Sequence, residues 1–112
     1  MTTTIINTQA REITGAPSLD PIQVFWRDAG ESQGYVTITC YGSAWTAYFG
    51  GMCGDTIEQF FARADTGYLV TKLGITPHLK ATKRDHAYLA RIIEAVKESL
   101  KTREAGAPTD AR

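Results

Sequence analysis

The spacing of hydrophobic residues changes once along the chain, from every second position in the first half to every third or fourth position in the second. Alternation over residues 22–28 and again over residues 35–41 predicts two half-buried β-strands. Residues 44–49 continue the pattern as a further strand, and residues 10–14 are expected to form a short first strand. The first half of the chain is therefore predicted to be a β-sheet.

The connections between these strands are short. Residues 29–34 contain two glycines and are predicted to form a hairpin loop, and Gly42-Ser43 is predicted to form a tight turn. Parallel neighbours would need a crossover of about a dozen residues or more, which these connections do not provide. The strands should therefore form an antiparallel meander.

A helical pattern begins after the last strand. Asp55 is predicted to cap this helix, with Glu58 as the acidic partner of a capping box. The apolar stripe that follows consists of Ile57, Phe60, Phe61, Ala64 and Tyr68. Gly67 is predicted to end the helix, and residues 68–73 are predicted to add a turn or two before Gly74 and Pro77 stop it.

A second, longer helix is predicted after Thr82, which serves as its cap, with Asp85 in the first turn. Its apolar stripe consists of Leu89, Ile92, Ile93, Val96 and Leu100. The predicted fold class is α+β: an antiparallel meander of three to four strands followed by two or three helices packed on one face. Residues 1–103 should form this single domain, and the polar residues 104–112 should be a frayed tail.

The composition agrees with one globular domain. The chain has 112 residues, of which 43% are apolar and 21% charged, close to the averages of folded proteins. Its start lacks the basic segment and long apolar stretch of a signal peptide, and no apolar run would span a membrane. We therefore expect a cytoplasmic protein in which Cys40 and Cys53 are reduced thiols. A disulfide would require these two residues to lie close together.

The aromatic residues suggest a binding surface. If the helices cover one face of the sheet, the opposite face should carry part of Tyr35, Tyr41, Phe25 and Trp45, and an exposed apolar patch often marks a binding site. The residues predicted to bind a protein are Tyr35, Tyr41, Trp45 and Tyr48. The same aromatic residues could instead form the interface of a homodimer.

The charges favour a second hypothesis. Residues 1–66 carry three basic and seven acidic groups (3 − 7 = −4), and residues 67–112 carry nine and five (9 − 5 = +4). The alternative function is nucleic-acid binding through the last helix, by Lys80, Lys83, Arg84 and Arg91. Glu94 and Glu98 interrupt this cluster, and the pI of about 6.7 is unlike that of a dedicated DNA-binding protein.

Reactive groups are sparse. The cysteines and histidines lack the spacings of known metal sites, so we expect no metal and no cofactor. Cys53 lies before a predicted helix start, where a thiol pKa is lowered, and either His78 or His86 would be the base of a thiol enzyme. The sequence does not show that these residues meet. We expect the protein not to be an enzyme.

Three blocks of sequence resemble small accessory proteins of tailed bacteriophages and prophages. They are Tyr41-Gly42-Ser43-Ala44-Trp45-Thr46-Ala47-Tyr48-Phe49-Gly50-Gly51-Met52, Thr56-Ile57-Glu58-Gln59-Phe60-Phe61 and Tyr68-Leu69-Val70-Thr71-Lys72-Leu73. The resemblance brings no known active site. It implies an origin in phage genomes, which encode many small proteins that bind host proteins, including inhibitors of defence systems. Our leading hypothesis is therefore a protein that binds a host protein in the bacterial cell.

Overall fold

The computed structural model describes residues 1–74 and 83–101. The elements are β1 (Gln9–Ile13), β2 (Ile22–Gly30), β3 (Gln33–Cys40), β4 (Ser43–Phe49), α1 (Ile57–Arg63), α2 (Thr66–Gly74) and α3 (Lys83–Lys101). Among these described helices, none is long and apolar enough to cross a membrane. The predicted cap Thr82 and the predicted tail of residues 104–112 lie outside the described residues.

The four strands form one antiparallel sheet in the order β1-β2-β3-β4. This arrangement, followed by three helices, confirms the predicted α+β meander. The turn between β3 and β4 lies one position earlier than predicted, because Tyr41 and Gly42 form it with φ values of 51° and 80°. Two positive φ values in a two-residue turn match the right-handed twist of the strands that the turn joins.

The hydrophobic core lies between one face of the sheet and the three helices. From the sheet it takes Ile22, Val24, Trp26, Val36, Ile38, Cys40 and Phe49, and from the helices mainly Phe61, Leu69, Leu73, Leu89, Ile92, Ile93 and Val96. These positions recur at every second residue in the strands and at every third or fourth in the helices. The helices therefore cover one face of the sheet, as the pattern predicted.

Helix α1 begins one residue later than predicted. The cap is Thr56, whose hydroxyl accepts a hydrogen bond from the Gln59 backbone N–H, while the Gln59 side chain accepts one from the Thr56 N–H. The prediction of Asp55 as cap was wrong, because Thr56 and Gln59 form the same kind of capping box one position along. The Asp55 carboxylate instead accepts a hydrogen bond from Arg63 Nε at 2.5 Å.

Helices α1 and α2 are separate, where the sequence pattern predicted one continuous stripe. Ala64 is extended, with ψ of 153°, and its carbonyl oxygen accepts a hydrogen bond from Lys97 Nζ at 2.5 Å. Asp65 then starts α2, since its carboxylate accepts a hydrogen bond from the Tyr68 N–H at 3.1 Å. Gly67 therefore lies in the first turn of α2 and does not end a helix.

Candidate functional site

The face of the sheet that points away from the helices is formed by the alternate residues of the strands. In β3 the residues that point inward, such as Val36 and Ile38, are buried. Their neighbours point the other way and are exposed or half-buried. The register aligns Arg27, Tyr35 and Tyr48 across three strands on this outer side. We call this outer side the open face.

An aromatic cluster lies at one end of the open face. The rings of Tyr35 and Tyr48 have centroids 5.1 Å apart and are inclined at 49°. The Arg27 guanidinium lies 4.9 Å from the centroid of the Tyr35 ring. The Tyr48 hydroxyl donates a hydrogen bond to Gln33 Oε1 at 2.7 Å. We call these four residues, Arg27, Gln33, Tyr35 and Tyr48, the tyrosine patch.

The tyrosine patch is held in place before any partner arrives. Tyr35 and Tyr48 are directly opposite each other in the β3–β4 pairing, where cross-strand side chains contact each other. A Cβ at Gly50 would lie 2.9 Å from the Tyr48 ring, so glycine at this position leaves room for the ring. Because both rings still expose more than 40% of their surface, they can be covered with little loss of side-chain freedom.

Beside the tyrosine patch, the open face carries the half-buried ring of Phe25, as predicted, and polar side chains that bond to each other. The hydroxyls of Thr37 and Thr46 are 3.1 Å apart. The Thr39 hydroxyl donates to Gln23 Oε1 at 3.2 Å, and Gln23 Nε2 donates to Glu12 Oε2 at 3.3 Å. These hydrogen-bonded groups lie on the same face as the tyrosine patch.

The open face is close to electrically neutral. On the four described strands it carries one cation, Arg27, and one anion, Glu12. A surface that binds phosphates usually neutralises several of them with lysine and arginine. Stacking, apolar contact and hydrogen bonds to tyrosine hydroxyls are the interactions that this surface offers.

Two of the four aromatic residues predicted to bind a protein lie outside the tyrosine patch. Tyr41 is 81% exposed but stands in the β3–β4 turn, six positions from Tyr35 and hence roughly 20 Å along the strand. Trp45 pairs with Ile38 and therefore points to the helices, where its ring centroid is 6.2 Å from that of Tyr88. Its assignment to the exposed set was wrong, because an odd offset from Tyr48 places the two side chains on opposite faces.

Tyr88 connects α3 to the sheet beside Trp45. Its hydroxyl donates a hydrogen bond to the sulfur of the buried Cys40 at 3.4 Å. This hydrogen bond favours the protonated phenol and, together with burial, raises the pKa of Tyr88 to about 12. The group therefore stays neutral at physiological pH and acts as a hydrogen-bond donor between helix and sheet.

Three of the four basic residues of the alternative hypothesis belong to α3. Arg84 and Arg91 are exposed on α3, and Lys83 is the first residue of that helix. Arg91 donates a hydrogen bond to the Ser18 carbonyl at 3.3 Å, so it helps to hold the segment before β2. Lys80 lies outside the described residues. The structure does not bring Arg84 or Arg91 to the open face.

The reactive residues named from the sequence are dispersed in the described structure. Cys53 is exposed in the loop before α1, Cys40 is buried under Tyr88, and both are free thiols. His86 is exposed on α3, and His78 lies outside the described residues. Within residues 1–74 and 83–101, no three His, Cys, Asp or Glu side chains come together in a way that could hold a metal ion.

Sequence reasoning missed Arg27 and Gln33 as members of the tyrosine patch. Alternation alone places Arg27 on the same side as Phe25, which was a usable signal. Its position over Tyr35 depends on the register of the β2–β3 hairpin, which contains an irregularity between Asp28 and Gly30. That irregularity has no clear signature in the sequence, so the neighbours of Tyr35 could not be assigned.

Comparison with known proteins gives the origin of the chain. No curated protein and no solved structure matches it. The model of a phage family, Phage_phiTE_072, matches residues 1–80, a range that includes all four strands, α1 and α2. The three blocks that resemble phage accessory proteins all lie in this range, so the predicted phage origin is confirmed. The chain belongs to this phage protein family.

Proposed function

We propose that this phage protein has no catalytic activity of its own and acts by binding a host protein through the tyrosine patch. The partner covers the open face, and the phage protein inhibits it by occupying a surface that the partner needs. The proposed target is a component of a host defence system. Binding takes place in the cytoplasm of the bacterial host.

The observation that carries the proposal is the pairing of two exposed tyrosines with a stacked arginine. Tyrosine and arginine are enriched among the residues that contribute most to protein–protein binding. In the tyrosine patch Tyr35 contacts both Tyr48 and Arg27 through ring and guanidinium contacts near 5 Å. Such a cluster would contribute little to the stability of the fold, because it lies on the side of the sheet that the core does not use.

The charge of the open face supports a protein partner over a nucleic acid. One cation among uncharged threonine and glutamine side chains would neutralise few phosphates. The surrounding polar side chains resemble the polar rim that encloses a hot spot in many interfaces. A protein surface with a complementary pocket for two rings would fit this arrangement.

The test is quantitative capture of a partner from host lysate followed by measurement of its affinity with purified components. Tyr35→Ala should weaken binding at least tenfold, since truncating a central aromatic anchor typically costs more than about 1.4 kcal/mol. Tyr48→Ala should have a similar effect, and Arg27→Ala a smaller one. Thermal unfolding of each variant shows whether the fold is retained.

The matched control is Tyr41→Ala. It removes the same side chain from a position that is more exposed than Tyr35 but lies far from the tyrosine patch. Its affinity should stay within about twofold of the natural protein. Equal loss of binding in Tyr41→Ala and Tyr35→Ala, or retention of full affinity by a folded Tyr35→Ala/Tyr48→Ala double variant, would contradict the proposal.

A further inference from the structure

Among the described residues, β4 is the last strand of the sheet, and one of its two sides has no neighbouring strand there. The two-residue turn makes Cys40 and Ser43 a hydrogen-bonded pair, and such pairs then alternate along β3 and β4. Alternation means that Ala44, Thr46 and Tyr48 direct their backbone N–H and C=O groups to the outside. Three residues on the free side of β4 are thus ready to pair with another strand.

The two edge strands differ in how they discourage such pairing. Natural edge strands are usually blunted by charged side chains, proline or bulges. Strand β1 is five residues long and contains Arg11 and Glu12. Strand β4 is seven residues long, has no charged residue and no proline, and pairs with β3 in an unbroken register. Within β4 itself the edge lacks charge, proline and bulge, which favours its use in pairing.

The sequence of β4 is complementary to itself. When two antiparallel copies are aligned with Thr46 opposite Thr46, each large side chain meets a small one. The pairs in this register are Ser43 with Phe49, Ala44 with Tyr48, and Trp45 with Ala47, each occurring twice by symmetry. This matching of large with small residues holds on both faces of the strand. This self-complementarity favours a second copy of the chain as the partner strand.

We propose that two copies of this chain form a two-fold symmetric dimer through antiparallel pairing of their β4 strands, centred on Thr46. Thr46 exchanges two backbone hydrogen bonds with its counterpart, and Ala44 does the same with Tyr48 of the second copy. On the inner side, Trp45 of each copy packs against Ala47 of the other. A continuous eight-stranded sheet results.

The dimer does not depend on the host-protein hypothesis, because its hydrogen bonds use the backbone of β4, and Tyr48 is the one residue of the tyrosine patch on that strand. It would place two tyrosine patches on the same surface, one on each side of the symmetry axis. A symmetric or repetitive partner would then be bound at two points, which increases the overall affinity without new contacts.

Cysteine cross-linking tests the register. In the Cys53→Ser background, Thr46→Cys places two thiols opposite each other, with Cα atoms about 5.5 Å apart, which suits a disulfide. Mild oxidation should convert most of this variant into a covalent dimer on a non-reducing gel. Ala44→Cys in the same background is the control, because two residues 44 would be about 13 Å apart or more and should not cross-link.

Charge substitution at the edge of β4 tests whether the dimer forms through this edge in solution. Thr46→Lys brings two like charges together at the symmetry axis, so the mass from analytical ultracentrifugation should fall from dimer to monomer. Thr37→Lys is the matched control: it removes the same Thr37–Thr46 hydroxyl contact and adds the same charge on the same face, but on a strand inside the sheet. This variant should remain a dimer.

The outcomes separate the alternatives. A dimer mass for the natural protein, loss of it in Thr46→Lys only, and cross-linking at position 46 only support the proposal. A monomer at all concentrations overturns it, as does a dimer that persists in folded Thr46→Lys. A dimer that cross-links through position 44 and not 46 also overturns it, because the pairing register would then be different.

Discussion

The two faces of the sheet are built from the same strands and have opposite roles. On β3, Ile38 is fully buried under the helices, while its neighbour Thr39 bonds to Gln23 at the surface. The inner face is apolar and closely packed, so its residues determine stability. The open face holds polar side chains and two exposed tyrosines that the core does not require. Substitutions on the two faces should therefore affect different properties of the protein.

The largest expected contrast is between adjacent positions of β3. Ile38→Ala should lower the free energy of unfolding by about 2–5 kcal/mol, since it leaves a cavity in the core. Thr39→Ala should lower it by less than about 1 kcal/mol, because the side chain lies on the open face. Urea denaturation of both variants measures the difference. Equal losses would show that the open face is as important for stability as the core.

Gly34 on the inner face of the sheet gives a second test of how closely that face is packed. A Cβ at Gly34 would lie 2.4 Å from Ile57 Cγ1 and 2.7 Å from the Arg27 carbonyl oxygen, so the inner side has no room even for a methyl group. Gly34→Ala should cost about 1–3 kcal/mol of stability through overpacking. Gly51→Ala is the matched control and should stay within about 0.5 kcal/mol, because no atom of the described residues, its two chain neighbours apart, lies within 4 Å of the methyl group that it would add. Denaturation midpoints of the two variants, measured side by side, check this prediction.

The smallest effect concerns Tyr88 at the rim of the covered face. Its pKa of about 12 in the folded protein is above the ordinary value of 10.0, so the folded state holds the phenolic proton more tightly than the unfolded state. The resulting stabilisation is complete below pH 10 and is lost as the pH rises through about 12. The natural protein should therefore lose stability more steeply over this range than Tyr88→Phe.

At neutral pH the loss of the hydroxyl in Tyr88→Phe should cost about 1 kcal/mol or less, because one hydrogen bond to sulfur is removed. Alkaline denaturation curves of the two proteins give the comparison. Parallel curves between pH 10 and 12 would show that the hydroxyl of Tyr88 is not protected by Cys40 in the folded protein.

Much of this fold follows from the period of the hydrophobic pattern. Alternation in β2 and β3 identified Ile22, Val24, Val36 and Ile38 as residues of one face, and all four are buried. The spacing in α3 identified its buried stripe in the same way. A period depends only on the geometry of one element, which is why a single sequence is sufficient to reveal it.

The details that the sequence did not predict depend on competition between neighbouring groups. Asp55 and Thr56 are both good caps, each with a capping-box partner three residues on; in the structure Thr56 pairs with Gln59, while Asp55 bonds to Arg63. The break before α2 is stabilised by Lys97, which is distant in sequence and bonds to the Ala64 carbonyl. Contacts of this kind are formed by the fold and are not visible in local pattern.

The candidate site was predicted in part for the same reason. Tyr35 and Tyr48 were identified as exposed aromatic residues, and the structure brings them together. Trp45 was also predicted to belong to this site. It lies three residues from Tyr48, however, so its side chain points to the opposite face of the sheet. Arg27 joins the patch only through the pairing of β2 with β3, which the sequence alone does not specify.

The most direct test of the open face as binding surface is the response of individual tyrosine rings when the host partner is added. Ring signals of the labelled protein can be followed by NMR for Tyr35, Tyr48 and the turn residue Tyr41. The signals of Tyr35 and Tyr48 should shift or broaden while that of Tyr41 stays in place. A change confined to Tyr41, with Tyr35 and Tyr48 unaffected, would contradict the account.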